Sequence, residues 1–380
     1  MSERLARLRL SRAEGLGPAA IRALIARAGS AEAAVEDLPR LARGRPVTLP
    51  SPEAIAREEE ALAALGARLL LDTDALYPVA LAMTEDAPLA LAVAGDPALL
   101  SRRAVAIVGA RNASAGARMI AERLARDLAD AGLAIVSGLA RGVDTAAHEG
   151  ALAEGGVTIA AVAGGLDRPY PPQNAALQAR ISAEGAVVAE APLGTAAMAK
   201  LFPRRNRIVA GLSLGTVVVE AALKSGSLIT ARLALEAGRE LFAVPGSPLD
   251  PRARGSNDLL RQGAILVETA EDVLAALPAG PSAPPDGPGR AARRAIVAEA
   301  PEEASEGAED ADDTLPQGGD ETARARLILK TLLSPTPVSV DEVLRRCPCN
   351  AAAVNAALLE LDLEGMLERL PGNRVALRER

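Results

Sequence analysis

The sequence has few of the residues that build metal sites, disulfides and aromatic surfaces. Its 380 residues include two cysteines, one histidine, two tyrosines, two phenylalanines and no tryptophan. Cys347 and Cys349 lie one residue apart, too close for an ordinary structural disulfide, and two thiols alone do not make a zinc site. We therefore expect no metal, and reduced thiols of the kind found in the cytoplasm.

Long apolar runs and obvious catalytic groups are also missing. No segment approaches the roughly 20 apolar residues of a membrane-spanning helix, and the N-terminus interleaves Arg with Leu instead of forming a signal peptide. His148 lies one turn into a predicted helix without a partnered nucleophile, which favours a structural role. Asp144, near the start of that helix, is expected to cap it. We predict a cytoplasmic protein that is neither bound to a membrane nor an enzyme.

The net charge of −7 is concentrated in one segment. Residues 278–320 contain ten acidic residues and three arginines, so they account for the whole imbalance, and they are rich in Pro, Gly and Ala. Such a composition cannot bury enough apolar surface to offset the entropy of ordering. We expect a disordered acidic linker at 278–320 and, elsewhere, a neutral chain that can carry a local basic face.

The pattern along the chain predicts three folded regions around this linker. Residues 1–70 are predicted to form a small helical domain of the SAM or helix-hairpin-helix kind. Residues 71–277 alternate β-rich runs with amphipathic helices, which is typical of a doubly wound parallel sheet. Residues 321–380 predict three helices and a hairpin, the pattern of a winged helix. The predicted fold class is therefore α/β, an extended Rossmann-like sheet flanked by two smaller domains.

A glycine turn, Gly15-Leu16-Gly17-Pro18, precedes a helical stretch in the first region. It resembles half of a helix-hairpin-helix, whose backbone amides can hold a phosphate. A single hairpin of this kind also occurs as plain structural packing. Both interpretations stay open from the sequence.

Glycine, serine and positive charge follow several of the predicted strands. In an open parallel sheet the carboxyl ends of the strands lie along one edge, where ligands meet helix N-termini. Glycine lets backbone amides approach an anion, and the following helix adds about half a positive charge. The sequence therefore predicts a phosphate-binding edge. Its predicted contacts are Gly109, Arg111 and Ser114 after the first run, Ser137, Gly138 and Arg141 after the second, and Lys224, Ser225, Gly226 and Ser227 after the fifth.

A nicotinamide cofactor is not expected at this edge. In the dinucleotide-binding pattern Gly-x-Gly-x-x-Gly the second glycine lets the pyrophosphate approach the backbone, but Arg111 occupies that place here. Arginine would block the approach and could bind a phosphate itself. We therefore expect no cofactor.

Four cations surround an aromatic residue in one short segment. No acidic residue lies between Glu190 and Glu220, so we expect these cations to lack local compensation. An aromatic ring among cations suits single-stranded nucleic acid, in which phosphates meet Arg or Lys and a base stacks on the ring. The alternative is the solvated start of a helix whose aromatic ring lies in the core. The segment contains Lys200, Phe202, Arg204, Arg205, Asn206 and Arg207.

These segments together resemble the DNA-processing protein A (DprA/Smf) family. The resemblance covers roughly 170 residues without a large gap. The matching segments are Ala106-Ile107-Val108-Gly109-Ala110-Arg111, Ser137-Gly138-Leu139-Ala140-Arg141-Gly142-Val143-Asp144, Tyr170-Pro171-Pro172-Gln173-Asn174, Phe202-Pro203-Arg204-Arg205-Asn206-Arg207-Ile208, Lys224-Ser225-Gly226-Ser227 and Ala243-Val244-Pro245-Gly246.

The resemblance implies a Rossmann-like homodimer that binds single-stranded DNA, shields it and helps to load the RecA recombinase during natural transformation. In this family, aromatic or histidine residues often precede the Phe-Pro-x-Arg-Asn-Arg segment, whereas Ala197, Met198 and Ala199 stand before Lys200 here. We therefore expect phosphate contacts to outweigh base stacking. Matched motif by motif, the implied DNA contacts are Arg111, Lys200, Phe202, Arg205, Asn206 and Lys224, with Gly138, Ser225 and Gly226 forming the floor of the pocket.

An enzymatic alternative is a nucleotide phosphoribohydrolase. Such enzymes also end a strand in Gly-Thr with a Glu nearby, as at Gly215, Thr216 and Glu220. However, their Pro-Gly-Gly-x-Gly-Thr-x-x-Glu string is not met here. We expect Glu220 to organise the cations Lys224 and Arg207 instead.

A second alternative is a transcription regulator that binds duplex DNA through the winged helix. The third predicted helix of that module ends in Glu360, Asp362 and Glu364 and contains no Lys or Arg. Such a helix would repel a duplex. We expect the module to bind protein or merely to pack against the rest of the chain.

Overall fold

The computed structural model describes residues 1–38, 47–280 and 321–378. The predicted acidic linker falls almost entirely on 281–320, which lies outside the described residues. Within the described ranges, no helix combines the length and the apolar character needed to cross a membrane.

The N-terminal region is helical, and three of its helices begin at a serine. Ser2, Ser30 and Ser51 each accept a hydrogen bond from the backbone amide three residues further on, which satisfies a donor that a helix N-terminus leaves open. Helix α2 begins instead after Gly17, which has no side chain to cap it. The helices described between residues 1–38 and 47–64 are α1 (Glu3–Ser11), α2 (Pro18–Ala28), α3 (Ala31–Glu36) and α4 (Pro52–Ala64).

A sheet of nine strands forms the centre of the molecule, in the order β1-β2-β6-β5-β4-β3-β7-β8-β9. The strands from β3 to β9 pair in parallel, and β2 pairs antiparallel with both β1 and β6. This confirms the predicted doubly wound parallel sheet, to which the antiparallel strands β1 and β2 add an edge that was not predicted. The strands are β1 (Ala67–Leu71), β2 (Ala90–Gly95), β3 (Ala104–Val108), β4 (Ala134–Ser137), β5 (Thr158–Val162), β6 (Ala186–Ala189), β7 (Gly215–Val218), β8 (Glu240–Ala243) and β9 (Ile265–Leu266).

Helices cover both faces of the sheet because successive residues of a buried strand point to opposite sides. In β3, Ala106 and Val108 belong to one core and Val105 and Ile107 to the other. The covering helices are α5 (Val79–Ala82), α6 (Ala115–Asp130), α7 (Val143–Ala153), α8 (Ala175–Glu184), α9 (Phe202–Leu212), α10 (Gly226–Glu236), α11 (Arg254–Arg261) and α12 (Ala270–Ala276).

The strand order reverses between β3 and β7, which are neighbours in the sheet although three strands and four α-helices separate them in sequence. The turns after these two strands are joined by the Ala110 amide, which donates to the Glu220 carbonyl oxygen at 2.6 Å. Such a reversal opens a crevice at the carboxyl edge of the sheet, where α/β proteins bind their ligands. The fold therefore places the predicted phosphate-binding turns around a single crevice.

The C-terminal region has the predicted winged-helix pattern. Its three short strands pair in the order β10-β12-β11, and the hairpin turns at Gly372 and Asn373, both of which have a positive φ. The elements are α13 (Glu321–Leu332), β10 (Val338–Ser339), α14 (Val340–Arg346), α15 (Ala351–Leu363), β11 (Leu367–Leu370) and β12 (Arg374–Leu377).

The winged helix packs against the sheet domain beside the first turn of α6. Arg346 pairs with Glu122 on α6 at 2.7 Å. Arg252, in the loop after β8, donates through Nη2 to the carbonyl oxygen of Leu333 at 2.8 Å, so it satisfies an open acceptor after the end of α13. Ala115 is buried in the winged-helix core. The module therefore packs, which is one of the two roles expected for it.

Candidate nucleic-acid interface

Arg205 is the central cation of the crevice, although it is only 6% exposed. It projects from α9 over the turn that follows β4, and a Cβ added at Gly138 would lie 1.1 Å from its Nη1 atom. Only glycine at position 138 leaves room for this guanidinium. The guanidinium of Arg205 on α9 therefore packs directly against Gly138 in the turn after β4.

Asp144 holds both parts of this arrangement. Its Oδ2 atom accepts hydrogen bonds from the amides of Gly138 at 3.1 Å and Ala140 at 3.3 Å, and it lies 3.7 Å from Arg205 Nη1. Burial raises the pKa of Asp144, and the nearby Arg205 opposes that rise. The expectation that Asp144 caps its own helix was wrong, because its carboxylate accepts from the turn that precedes α7.

The Arg205 guanidinium has bonding capacity left over. Its Nε atom is buried and has no hydrogen-bond partner among the residues that the structure describes. Its contact with Asp144, at 3.7 Å, is longer than a hydrogen bond. A buried cation with an unused donor favours an anionic ligand, because an unpaired buried donor is costly.

Phe202 brings Arg111 and Arg205 together. The guanidinium carbon of Arg111 lies 5.0 Å from the centre of the Phe202 ring, and that of Arg205 lies 5.8 Å from it. Both distances are within the range of a cation–π contact. Phe202 is only 4% exposed, so its ring lies in the interior and supports the two cations.

Tyr170 is a residue of this site that sequence reasoning missed. Its ring centre lies 5.5 Å from that of Phe202, with the two planes inclined at 59°. Unlike Phe202, it keeps part of its surface exposed. The available signal was the scarcity of aromatic residues, because Tyr170 is one of only four in the chain.

A small pocket collects the largest group of predicted contacts. The N-terminus of α10 opens onto it, where the Ser225 hydroxyl accepts from the Ser227 amide at 3.4 Å. A helix N-terminus carries partial positive charge, which favours an anion. Lys224, which is exposed, directly precedes this helix end. The predicted contacts that line the pocket are Gly109, Arg111, Arg205, Asn206, Ser225, Gly226 and Ser227.

A wider cleft of about 660 Å³ lies next to this pocket, between the helical region and the sheet edge. Lys200, Arg204 and Arg205 line it, so Arg205 belongs to both cavities. Lys200 and Arg204 are exposed. Arg141, another predicted contact, is half-buried in the turn after β4.

Three predicted contacts lie in the interior beside the crevice. The Ser137 hydroxyl donates to the Ile107 carbonyl oxygen at 2.6 Å. The Ser114 amide and hydroxyl both donate to the carboxylate of Glu220, at 3.0 and 2.7 Å. Arg207 is 8% exposed. Direct DNA contact by Ser114, Ser137 and Arg207 stays a prediction.

The cations around Phe202 were expected to lack compensation, and this was wrong. The Glu190 carboxylate lies 2.6 Å from Arg207 and 3.3 Å from Arg204. Glu190 directly follows β6, so the sheet brings it to the same edge as α9. Glu190, directly after β6, therefore supplies countercharge that the segment itself lacks.

The expected role of Glu220 was also wrong. Its two carboxylate oxygens accept both hydrogen bonds from Ser114, at the N-terminus of α6, instead of organising Lys224 and Arg207. Burial raises the pKa of Glu220, while the bonds from Ser114 oppose this. Glu220 therefore acts as a structural cap for α6.

His148 and the carboxylates of the described residues give no sign of a metal centre. No group of three or more His, Cys, Asp or Glu side chains in the described ranges could hold a metal ion. His148 is fully buried, and its Nδ1 atom lies 2.7 Å from the Thr158 hydroxyl. Burial lowers the pKa of His148 to about 3, so the ring is neutral at pH 7.

The fold and this crevice define a Rossmann-like protein with a cationic, glycine-lined crevice at the sheet edge, extended by a helical and a winged-helix region. Comparison with protein families agrees region by region. The model described as DNA recombination-mediator protein A matches residues 68–278, the DprA winged helix domain matches 302–373, and the DprA-like N-terminal HHH domain matches 1–61. The chain therefore belongs to the DprA/Smf family of DNA-processing proteins.

Individual relatives match different lengths of the chain. The chain is 39% identical to Protein Smf of Escherichia coli (strain K12) over 303 residues, which cover 80% of this chain and 75% of that protein. It is 45% identical to the DNA processing protein DprA of Streptococcus pneumoniae (strain ATCC BAA-255 / R6) over 202 residues, which cover 53% of this chain and 71% of that protein.

Among solved structures, two DprA chains illustrate the resemblance in fold. The X-ray structure of DprA from Streptococcus pneumoniae superposes with a TM-score of 0.62 at 33% identity, covering 73% of this chain and 99% of that one. DprA from Helicobacter pylori, described for its mode of binding single-stranded DNA, superposes with a TM-score of 0.50 at 33% identity. That match covers 55% of this chain and 94% of the Helicobacter pylori chain.

Proposed function

We propose that this protein binds single-stranded DNA in the crevice and presents it to a recombinase. The observation that carries the proposal is Arg205, a nearly buried cation with an unused Nε donor in a glycine-shaped space. Arg111 lies beside it on the same aromatic ring. Membership of the DprA/Smf family and the single-stranded DNA binding of the Helicobacter pylori protein support the assignment.

The chemistry of the crevice suits an unpaired strand of any sequence. Arg205, Arg111 and the N-terminus of α10 offer donors and positive charge to phosphates, which are the same at every nucleotide. Tyr170, which is partly exposed and packs against Phe202, offers aromatic surface to a base, and stacking tolerates all four bases. A groove of this kind prefers single strands because duplex bases are already stacked on one another.

We further propose that the protein shields incoming strands and helps to load the RecA recombinase during DNA uptake and natural transformation. In this account it acts in the cytoplasm, as a homodimer, and it performs no catalysis itself. These roles are supported by the family to which the chain belongs. Light scattering tests the dimer, and the rate of RecA assembly on coated single strands, with and without the protein, tests the loading.

A phosphoribohydrolase activity is less well supported. Such an enzyme would use Glu220 at the crevice, but both of its carboxylate oxygens are occupied by the amide and the hydroxyl of Ser114. Incubation with nucleoside monophosphates tests this directly. Release of free base would favour the enzyme over the proposed function.

The binding proposal is tested by fluorescence anisotropy with the full chain. The probes are a labelled oligothymidylate and a labelled duplex of equal length, each titrated at physiological salt. We expect clearly tighter binding of the single strand. Equal affinity for the two probes, or binding of neither, would contradict the proposed function.

A further inference from the structure

The turn between β4 and α7, residues 138–142, has a strained backbone. Leu139 has a φ of 59°, in the left-handed region that a leucine rarely occupies. Its side chain is fully buried in the core. Strained positions of this kind persist only where the surrounding structure holds them. The groups that hold Leu139 therefore set the shape of the turn against which Arg205 packs.

Two side chains hold this turn, one by its amides and the other by its carbonyl groups. The Asp144 carboxylate accepts hydrogen bonds from the amides of Gly138 and Ala140. The carbonyl oxygens of Leu139 and Ala140 accept from the side-chain amide of Asn174, at 2.8 and 3.4 Å. Asn174 is therefore the counterpart of Asp144 on the carbonyl groups of the turn.

Thr145 adds to the contact that Asn174 makes. Asn174 Nδ2 also donates to Thr145 Oγ1 at 2.9 Å, and the Thr145 hydroxyl donates to the carbonyl oxygen of Ala140 at 2.7 Å. An asparagine amide has two N–H donors, and its two shorter contacts here use both. Because Thr145 lies in the first turn of α7, Asn174 connects the strained turn with the helix that follows it.

The local structure of Asn174 does not account for this side chain. Asn174 stands at the N-terminus of α8, where an asparagine often accepts a hydrogen bond from the helix, but its side chain makes no cap bond. It is only 8% exposed, and it donates to a carbonyl group 35 residues earlier in the chain. The contacts of the Asn174 amide are therefore with the turn after β4.

We propose that Asn174 is a positioning residue of the DNA site. It keeps the strained turn in place, and the turn keeps Gly138 against the guanidinium of Arg205. Asn174 lines neither the small pocket nor the wider cleft, so it acts through Arg205 and not by touching DNA. This inference rests on the proposed function and deepens it, because it names a residue outside the crevice that sets the position of the central cation.

The test variant Asn174→Ala has a matched control on the same helix. Asn174→Ala leaves the Leu139 carbonyl group without its side-chain donor. Gln178, one turn further along α8, is 7% exposed, and its side-chain amide donates to the Leu166 carbonyl oxygen at 2.8 Å. Gln178 lines neither cavity. Gln178→Ala therefore removes the same kind of bond at the same burial, and the two variants should lose similar stability.

A milder variant, Thr145→Val, keeps the test decisive if Asn174→Ala does not fold. Valine has nearly the shape of threonine, so the change removes chiefly the hydroxyl that binds Ala140 and Asn174. We expect it to weaken DNA binding in the same direction as Asn174→Ala and by less. Its stability should lie closer to that of the unaltered chain.

Fluorescence anisotropy of the full chain with a labelled oligothymidylate, at two salt concentrations, measures the effect. We expect Asn174→Ala to weaken binding by about ten-fold, the lower end of what one hydrogen bond to a charged group contributes. The slope of the logarithm of affinity against the logarithm of salt concentration should fall by up to about 0.7, the share of one phosphate contact. Gln178→Ala should keep the affinity and the slope of the unaltered chain.

A double-mutant cycle separates positioning of Arg205 from a general structural role. If Asn174 acts through Arg205, then Asn174→Ala, or Thr145→Val in its place, should have no further effect on affinity in the Arg205→Ala background. Additive losses, an equal loss in Gln178→Ala, or unchanged affinity in both Asn174→Ala and Thr145→Val would overturn this inference and leave the proposed function standing. Failure of the unaltered protein to bind the strand would overturn both.

Discussion

Gly138 and Arg205 occupy adjoining space so closely that no side chain fits at position 138. A Cβ there would lie 1.1 Å from Arg205 Nη1 and 2.3 Å from its Cζ. The two residues are distant in sequence, and the parallel sheet brings the end of β4 to the helix that carries Arg205. Arg205 can therefore hold this position only because residue 138 has no side chain.

Gly138→Ala should displace the guanidinium and leave the fold intact, because the far end of a flexible side chain can move. We expect a loss of about 1 to 3 kcal/mol in the free energy of unfolding, typical of an overpacked site. The affinity for single-stranded DNA should fall by more than the small increase in the unfolded fraction accounts for. Calorimetry and anisotropy measure the two effects.

The matched control for this variant is Gly116→Ala in α6. A Cβ at Gly116 meets only the Ser114 hydroxyl, at 3.9 Å. The control should therefore bind DNA as the unaltered chain does. Unchanged DNA affinity in Gly138→Ala would show that the position of Arg205 over the turn is irrelevant to binding.

Tyr170 should report on base stacking through its own fluorescence, since the chain has two tyrosines and no tryptophan. Tyr77 is buried and donates its hydroxyl to the Pro88 carbonyl oxygen at 2.6 Å, so Tyr77→Phe removes the background signal at a cost of about 1 kcal/mol of stability. Saturating oligothymidylate should then quench the remaining emission, and a strand without bases should quench it less. If neither strand changes the tyrosine emission, bases do not stack on Tyr170.

Much of the fold could be predicted because its signals are local. Runs such as Val105 to Val108 are apolar at every position, as strands buried on both faces must be, and the glycines after them mark the turns. The edge of the sheet that carries the site follows from the same pattern. The winged helix was equally visible in its helix spacing and its Gly372 turn.

The electrostatic partners could not be predicted because they depend on strand order. Glu190 pairs with Arg204 and Arg207 because β6 ends at the same edge of the sheet at which α9 begins. Glu220 accepts hydrogen bonds from Ser114 because β7 lies next to β3 in the sheet. Both acids stand outside the cationic segment in sequence, so a search for nearby acids finds none. The sheet topology alone reveals these pairs.

His148 should make the fold sensitive to mild acid. Burial lowers its pKa in the folded state to about 3, whereas an unfolded histidine titrates near 6.5. Between pH 6.5 and pH 3, His148 is protonated in the unfolded chain but not in the folded chain. The free energy of unfolding therefore falls as the pH decreases through that window. From pH 7 to pH 5.5 this should cost about 1 kcal/mol.

The variant His148→Gln isolates that contribution. Asp144, Glu149 and Glu220, whose pKa values burial raises, act in the opposite direction in both proteins and cancel in the comparison. Urea unfolding at the two pH values should therefore show a steeper loss for the unaltered chain. Parallel behaviour of the two chains would place His148 in a solvated site.

The salt dependence of single-strand binding tests the central claim most directly. For single strands, the logarithm of the affinity falls with the logarithm of the salt concentration by about 0.7 for each phosphate contact. Lys224→Ala and Arg205→Ala should each reduce that slope by about this amount, on every strand sequence, whereas Arg123→Ala on the surface of α6 should leave it unchanged. An unaltered slope in Lys224→Ala and Arg205→Ala would contradict a phosphate-binding crevice at the edge of the sheet.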